Sequence, residues 1–194
     1  MAKIKICGLR REQDIEYVNA LEPDYIGFVL TPGFRRSTTQ ETAARLKKSL
    51  SKKITAVGVF VDDSADKINF LFNSGIIDIA QLHGSESPEF CRRIKAPVIK
   101  YFNCAAGKPA DIEKYNADYY LFDSGAGTGT AFNWRNIPKT DKPFFMAGGI
   151  SEKNVKTAIE TAHPFAVDVS SSVETGGYKD FEKIKRFMEM ARYE

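Results

Sequence analysis

A thiol and a carboxyl end two strand-like runs of this chain. Cys7 closes Lys3-Ile4-Lys5-Ile6-Cys7, and Asp123 closes Tyr119-Tyr120-Leu121-Phe122-Asp123. Gly8 follows the first directly, and Gly125 follows the second after Ser124. A thiolate can take a proton and a protonated carboxyl can give one, so the two facing a shared pocket would make a base and an acid. Singly, each has an ordinary explanation: a free cysteine is usually a small buried apolar residue, and an aspartate after a strand often caps a turn. Other chemically useful groups stand at the ends of further apolar runs, namely Arg36 after residues 25–29, His83 after 77–82 and Asp168 within 165–169. Their common position is what points to one site.

The elements that would hold these groups recur regularly. Apolar, β-branched or aromatic runs fall at residues 3–7, 25–29, 55–61, 77–82, 98–102, 119–123, 144–147 and 165–169. They start roughly every 20 to 30 residues, the interval that a strand, a helix and two short loops require. Between them the spacing is helical. Val155, Ala158, Ile159 and Ala162 follow Ser151 as an expected N-cap, Ile68, Leu71 and Phe72 precede Gly75 as a stop, and Ser87-Pro88 opens another helix. Phe181, Ile184, Phe187, Met188 and Ala191 form the last, and only the segment after Asp123 is poor in helix pattern. Strands alternating with helices imply a parallel sheet, and eight units point to a closed (β/α)8 barrel, with an open doubly wound sheet as the alternative.

Size and charge narrow the classes. The chain has 194 residues, 43% hydrophobic and 12% aromatic, enough for one core, and a single barrel domain over 1–194 is expected. Lysine and arginine number 28 against 25 acidic residues, a net charge of +3, with basic pairs dispersed rather than blocked, which argues against a nucleic-acid partner. Cys7, Cys91 and Cys104 are odd in number and lack CxxC spacing, which fits reduced thiols in a cytoplasmic protein rather than a disulfide framework or a zinc site. No metal is implied. No apolar run approaches the ~20 residues of a membrane helix, so no membrane partner is expected either.

In a barrel of this kind, function gathers where strands end. Small residues follow the seventh and eighth strands, at Gly148-Gly149 and at Ser170-Ser171-Ser172. Their backbone N–H groups could close on an anion, with the helix after Ser151 adding its positive end. For Gly148-Gly149 alone a tight turn would suffice, and the second small-residue loop is what favours a phosphate cradle. The glycine-rich stretch 125–129 lacks the GK[ST] of a P-loop and the GxGxxG of a dinucleotide turn, and is read as a loop folding over a ligand beside Asp123.

These residues, in this order, closely resemble the phosphoribosylanthranilate isomerase family. The likeness runs nearly end to end through Lys5-Ile6-Cys7-Gly8, Gly27-Phe28-Val29, residues 57–61, Gln81-Leu82-His83-Gly84, Phe122-Asp123 with Gly127-Thr128-Gly129, Gly148-Gly149-Ile150 with Asn154-Val155, and 165–171. The resemblance implies a cofactor-free Amadori rearrangement of a phosphorylated sugar-anthranilate in tryptophan biosynthesis; a monomer or homodimer is expected. It implies Asp123 as general acid at the furanose ring oxygen and Cys7 as general base at sugar C2. It also implies Arg36, His83 and Asp168 as substrate-binding and Gly148, Gly149, Ser171 and Ser172 as phosphate-binding. Asp123 is expected to carry a raised pKa and Cys7 a thiolate-favouring setting, because ordinary values near ~3.9 and ~8.5 suit neither task at neutral pH. Lys5 is given no role and serves as the neutral comparison for Arg36.

The chain departs from the family at Ser172, usually glycine, at Thr130, usually lysine, and at Arg10, usually small and polar and expected here to face solvent. Ser172 puts phosphate affinity in question if that position needs positive φ. Two competing readings are a histidine-pathway isomerase acting on a larger bisphosphate, which uses aspartate where Cys7 stands, and a metabolite-binding barrel without turnover.

Overall fold

In a computed structural model, described for residues 1–123 and 133–192, the eight strands close on themselves. They are β1 (Lys3–Cys7), β2 (Tyr25–Val29), β3 (Thr55–Phe60), β4 (Ile79–Leu82), β5 (Val98–Asn103), β6 (Tyr119–Asp123), β7 (Phe144–Met146) and β8 (Ala166–Val169). Every neighbouring pair is parallel, and β1 pairs with both β2 and β8, so no edge remains. The parallel barrel read from the eight runs is therefore the fold, and the open sheet is excluded.

Period-two alternation splits the strand residues between two cores. Ile4, Ile6, Ile26, Phe28, Ala56, Ala80, Leu82, Val98, Phe122, Met146 and Val167 face outward to the helices. Tyr25, Val57, Ile79, Ile99, Leu121, Phe145, Ala147 and Ala166 fill the barrel interior. The outer core is completed by α1 (Glu12–Leu21), α2 (Gln40–Ser49), α3 (Ala65–Asn73), the short α4 (Pro88–Cys91), α5 (Val155–Ala162) and α6 (Phe181–Arg192). Ile184, Phe187, Met188 and Ala191, at helical spacing, are the buried stripe of α6. Thr39, Ser64 and Ser87 cap α2, α3 and α4 by accepting from the N–H three residues on, and Pro88 occupies the first helical position of α4.

Two details differ from the sequence expectation. Ser151 does not cap α5, which starts at Val155. The Asn154 carboxamide takes the Ser151 N–H at 2.8 Å and donates to the Gly149 carbonyl at 2.9 Å, folding a separate turn before the helix. The connection between β5 and β6 also lacks an α-helix and holds only a 3-10 turn at Ile112–Lys114, with Gly107 and Pro109 ahead of it. The weakly patterned segment before β7 contributes the 3-10 turn Trp134–Asn136. Residues 125–129 and Thr130 lie outside the described residues.

At the end where strands begin, the barrel is tied by a repeated device. Asp24, Asp78 and Asp118 immediately precede β2, β4 and β6 and accept from the backbone N–H of Ile4, Ala56 and Val98 at 2.9, 2.7 and 2.7 Å. Each staples the start of one strand to its predecessor across a crossover of about twenty residues, where the charged acceptor strengthens the bond.

Candidate active site

Cys7 is the last residue of β1 and Asp123 the last of β6, both at the end of the barrel where active sites of this architecture lie. Alternation places both on the interior face, Cys7 in phase with Lys5 and Asp123 in phase with Leu121. The thiol occupies space left by a missing side chain on the neighbouring strand: a Cβ at Gly27, its register partner, would stand 2.6 Å from the Cys7 sulfur.

Beneath Cys7 the same interior face holds Lys5, fully buried, whose Nζ donates to Asp168 Oδ2 at 2.7 Å from β8. The two residues are register partners on adjacent strands. Burial disfavours the Lys5 charge, but Asp168 and Cys7 outweigh it and leave Lys5 above its ordinary value, so the ammonium stays charged inside the barrel. Asp168 is pushed up by burial against the opposing pull of Lys5 and Lys179, and its Oδ1 is buried with no hydrogen-bond partner among the described residues. Such an orphaned buried acceptor calls for an explanation.

The expectation of a thiolate-favouring setting for Cys7 is overturned in its net direction. Burial raises the thiol's pKa, and the Lys5 and Lys179 ammoniums, which pull it down, do not compensate. Lys5 is accordingly no neutral comparison for Arg36, because it lies inside the site on the same face as Cys7, where its charge favours the thiolate. Its signal was present in the sequence: a lysine alternating with Lys3 and Cys7 between Ile4 and Ile6 must share the interior face.

Arg36, in the loop after β2, reaches over the end of β1, where a Cβ on Gly8 would meet its Cδ at 2.6 Å. Its guanidinium is gripped by Glu174, Nε to Oε1 at 2.7 Å and Nη2 to Oε2 at 2.8 Å. Glu174 opens a small hairpin, β9 (Glu174–Thr175) and β10 (Tyr178–Lys179), and also accepts from the buried Lys179 at 2.7 Å. Lys179 in turn donates to the Ser170 carbonyl, and Ser170 Oγ donates to the Cys7 carbonyl at 2.9 Å, joining the hairpin to the top of β1. Neither Glu174 nor Lys179 was singled out from the sequence. Arg10 does not simply face solvent: it is half-buried, donates to the carbonyls of Arg35 and Gly177, and lies 4.7 Å over the Tyr178 ring.

His83 follows β4 and stacks on Tyr101 with ring centroids 4.0 Å apart. Its Nδ1 is 2.8 Å from Gln81 Nε2, an arrangement in which the amide donates and the ring proton sits on Nε2. Burial, then the Lys5 and Lys100 charges, lower its pKa to about 4, so the ring is neutral at physiological pH.

Gly148 and Gly149 have φ of 83° and 66°, a left-handed pair that glycine adopts without strain. Their N–H groups have no backbone partner among the described residues. Ser171–Val173 is a 3-10 turn, so Ser172 does not need positive φ, and the feared backbone conflict is absent. Its hydroxyl instead donates to the Ile150 carbonyl at 2.7 Å, tying together the loops after β7 and β8.

The sequence model of one family, N-(5'-phosphoribosyl)anthranilate (PRA) isomerase, matches residues 4–190. The chain belongs to that family. A PRA isomerase of Clostridium acetobutylicum is 43% identical over 205 residues, covering 99% of this chain and 98% of its own. The crystal structure of phosphoribosyl anthranilate isomerase from Thermus thermophilus superposes with a TM-score of 0.87 at 32% identity, covering 97% of each chain. A PRA isomerase in complex with reduced 1-(o-carboxyphenylamino)-1-deoxyribulose 5-phosphate superposes with a TM-score of 0.83 at 31% identity, covering 99% of each. Membership of the PRA isomerase family sets aside the histidine-pathway reading.

Proposed function

We propose that Cys7 and Asp123 act as base and acid in converting N-(5-phosphoribosyl)anthranilate to 1-(2-carboxyphenylamino)-1-deoxyribulose 5-phosphate, the isomerase step of tryptophan biosynthesis. Membership of the PRA isomerase family supports the reaction. The observation that carries the residue roles is that a thiol and a carboxyl end interior-facing positions of β1 and β6 in one closed barrel.

Protonated Asp123 gives its proton to the furanose ring oxygen, and the C1–O bond breaks as the anilino nitrogen donates its lone pair to form the protonated Schiff base. The Cys7 thiolate then removes the proton from C2, and the electron pair moves to the nitrogen, leaving an enolamine. Tautomerisation of the enolamine, with a proton returned to C1, delivers the 2-ketone. Atoms and electrons balance without a redox partner.

Cys7 works from a minor thiolate population. Lys5 and Lys179 enlarge it relative to what burial alone would leave, which gives the Lys5–Asp168 pair a purpose beneath the base. Neutral His83 offers a donor rather than a charge, and the unpartnered Asp168 Oδ1 suits a sugar hydroxyl. Arg36 takes the anthranilate carboxylate, and the backbone of Gly148, Gly149, Ser171 and Ser172 takes the phosphate. Three free cysteines fit our placing the enzyme in the cytoplasm, and the dimeric phosphoribosylanthranilate isomerase of Thermotoga maritima, 31% identical, fits a monomer or homodimer.

The test is direct: purified protein given N-(5-phosphoribosyl)anthranilate should extinguish its anthranilate-type fluorescence, and Cys7→Ala should not at comparable rate. A folded wild-type protein without turnover would end the proposal.

A further inference from the structure

Glu174 and Lys179 form a buried arrangement that the acid-base chemistry does not use. Two basic side chains, Arg36 and Lys179, share one carboxylate, with Glu174 and Lys179 almost wholly buried. A guanidinium gripped on one edge still offers its other donors to a partner of opposite sign. The geometry of the grip says where that partner would sit. Glu174 occupies the Nε and Nη2 edge of the guanidinium with both oxygens. Nη1 makes no hydrogen bond among the described residues, so the Nη1 and Nη2 edge is left for a second planar anion.

We propose that Glu174, braced by Lys179, is the positioning residue that turns the free fork of Arg36 toward the carboxylate on the substrate's aromatic ring, and thereby sets specificity for a carboxyl-bearing aniline. The inference rests on the reading of Arg36 as the carboxylate-binding side chain. Three features fix the arrangement in space. Lys179 holds Glu174 from behind while donating to the Ser170 carbonyl at 3.0 Å. Lys183 Nζ donates to the Glu174 carbonyl at 2.7 Å, anchoring the backbone of the same residue to α6. Gly8, by lacking a side chain, lets the Arg36 stem lie against the end of β1 beside the base. A guanidinium clamped on one edge loses little further freedom when a ligand takes the other, which is how preorganisation strengthens binding.

Two stable ligands separate this role from a purely structural one: the reduced form of 1-(2-carboxyphenylamino)-1-deoxyribulose 5-phosphate, and the same compound lacking the ring carboxyl. For Glu174→Gln, where the amide can no longer accept on both oxygens, KM should rise and the carboxylated ligand should bind about tenfold more weakly, as expected for a lost charge-assisted contact. The ligand lacking the carboxyl should bind as to wild type, and kcat should change much less than KM. Glu174→Asp keeps the charge but withdraws it by one methylene, and should give a smaller loss confined to the carboxylated ligand. It serves also if the glutamine variant does not fold. Equal weakening of both ligands by these variants, or no weakening of either, overturns the positioning role. Arg36→Lys tests the underlying reading separately: if it does not discriminate between the two ligands, Arg36 is not the carboxylate site, whatever Glu174 does.

Discussion

The two ends of the barrel interior are built from opposite materials. Where the strands begin, the filling is aromatic: Tyr25, Tyr119, Phe145 and Phe165 meet with ring centroids 5.3 to 5.8 Å apart. Lys3 lies over the rings of Tyr25 and Phe165, and the aspartate staples close the same end. Where the strands finish, the interior holds Cys7, Lys5 with Asp168, and Arg36 with Glu174 and Lys179. Aromatic pairs stabilise beyond the area they bury, whereas buried ion pairs roughly balance their desolvation and are weak sources of stability. The difference teaches that aromatic packing holds one end together, while the charged groups of the other are, on the proposed function, kept for work on an anionic substrate.

If that division is right, substitutions at the two ends should separate rate from stability. Cys7→Ala and Asp123→Asn should each lower kcat by roughly 10²-fold or more, the range for loss of an acid or base, with a nearly unchanged melting temperature. Fluorescence-detected turnover beside thermal unfolding checks both halves of that statement. Phe145→Ala should do the reverse, destabilising by about 3–5 kcal/mol through the cavity it opens while kcat per folded molecule is retained. Denaturant unfolding measures the first quantity, and a matching drop in kcat would blur the division.

Lys5→Met tests the charged end in both currencies. It leaves Asp168 buried and unpaired, which should destabilise by about 3 kcal/mol. It also removes a cation that pulls the Cys7 pKa down, so the rising limb of kcat against pH should move to more alkaline pH. An unmoved limb would mean that Lys5 supports only the fold. Asp118→Ala, at the opposite end, should destabilise by about 1–2 kcal/mol by orphaning the Val98 N–H and leave turnover alone.

The smallest effect concerns acid. Burial works to raise the Glu174 pKa, but Arg36 and Lys179 outweigh it and hold it below the ordinary 4.5. A folded-state value below the unfolded one means stability that is complete above the unfolded value and lost as pH falls through the folded value. Wild type should therefore lose stability more steeply below about pH 4.5 than Glu174→Gln, measured by urea midpoints across that range. Parallel curves would remove Glu174 as a contributor.

Much of this was legible in the chain. Eight apolar runs with regular spacing specify the barrel because strand alternation and helix periodicity are local properties, and each run became a strand within two residues of its expected bounds. Cys7, Asp123, His83 and Asp168 could be singled out because their positions at or near strand ends follow from the same count. The α5 start was misread because a serine before a helical stripe looks like a cap, whereas the side chain of Asn154 claims that turn. The missing helix between β5 and β6 reflects a segment whose glycine and proline break the pattern too softly to count.

The amino-acid sequence by itself determined the strand order, the interior face that Lys5 and Cys7 share, and the family. These depend on period and local chemistry along the chain. Only the tertiary structure decided that Glu174 reaches Arg36 from 138 residues away with Lys179 bonded to the same carboxylate, that Asp168 lies against Lys5 across 163 residues, and that burial drives the Cys7 thiol upward. Ion pairing and desolvation depend on which surfaces close on one another, and no spacing along a chain states how much water is left between them.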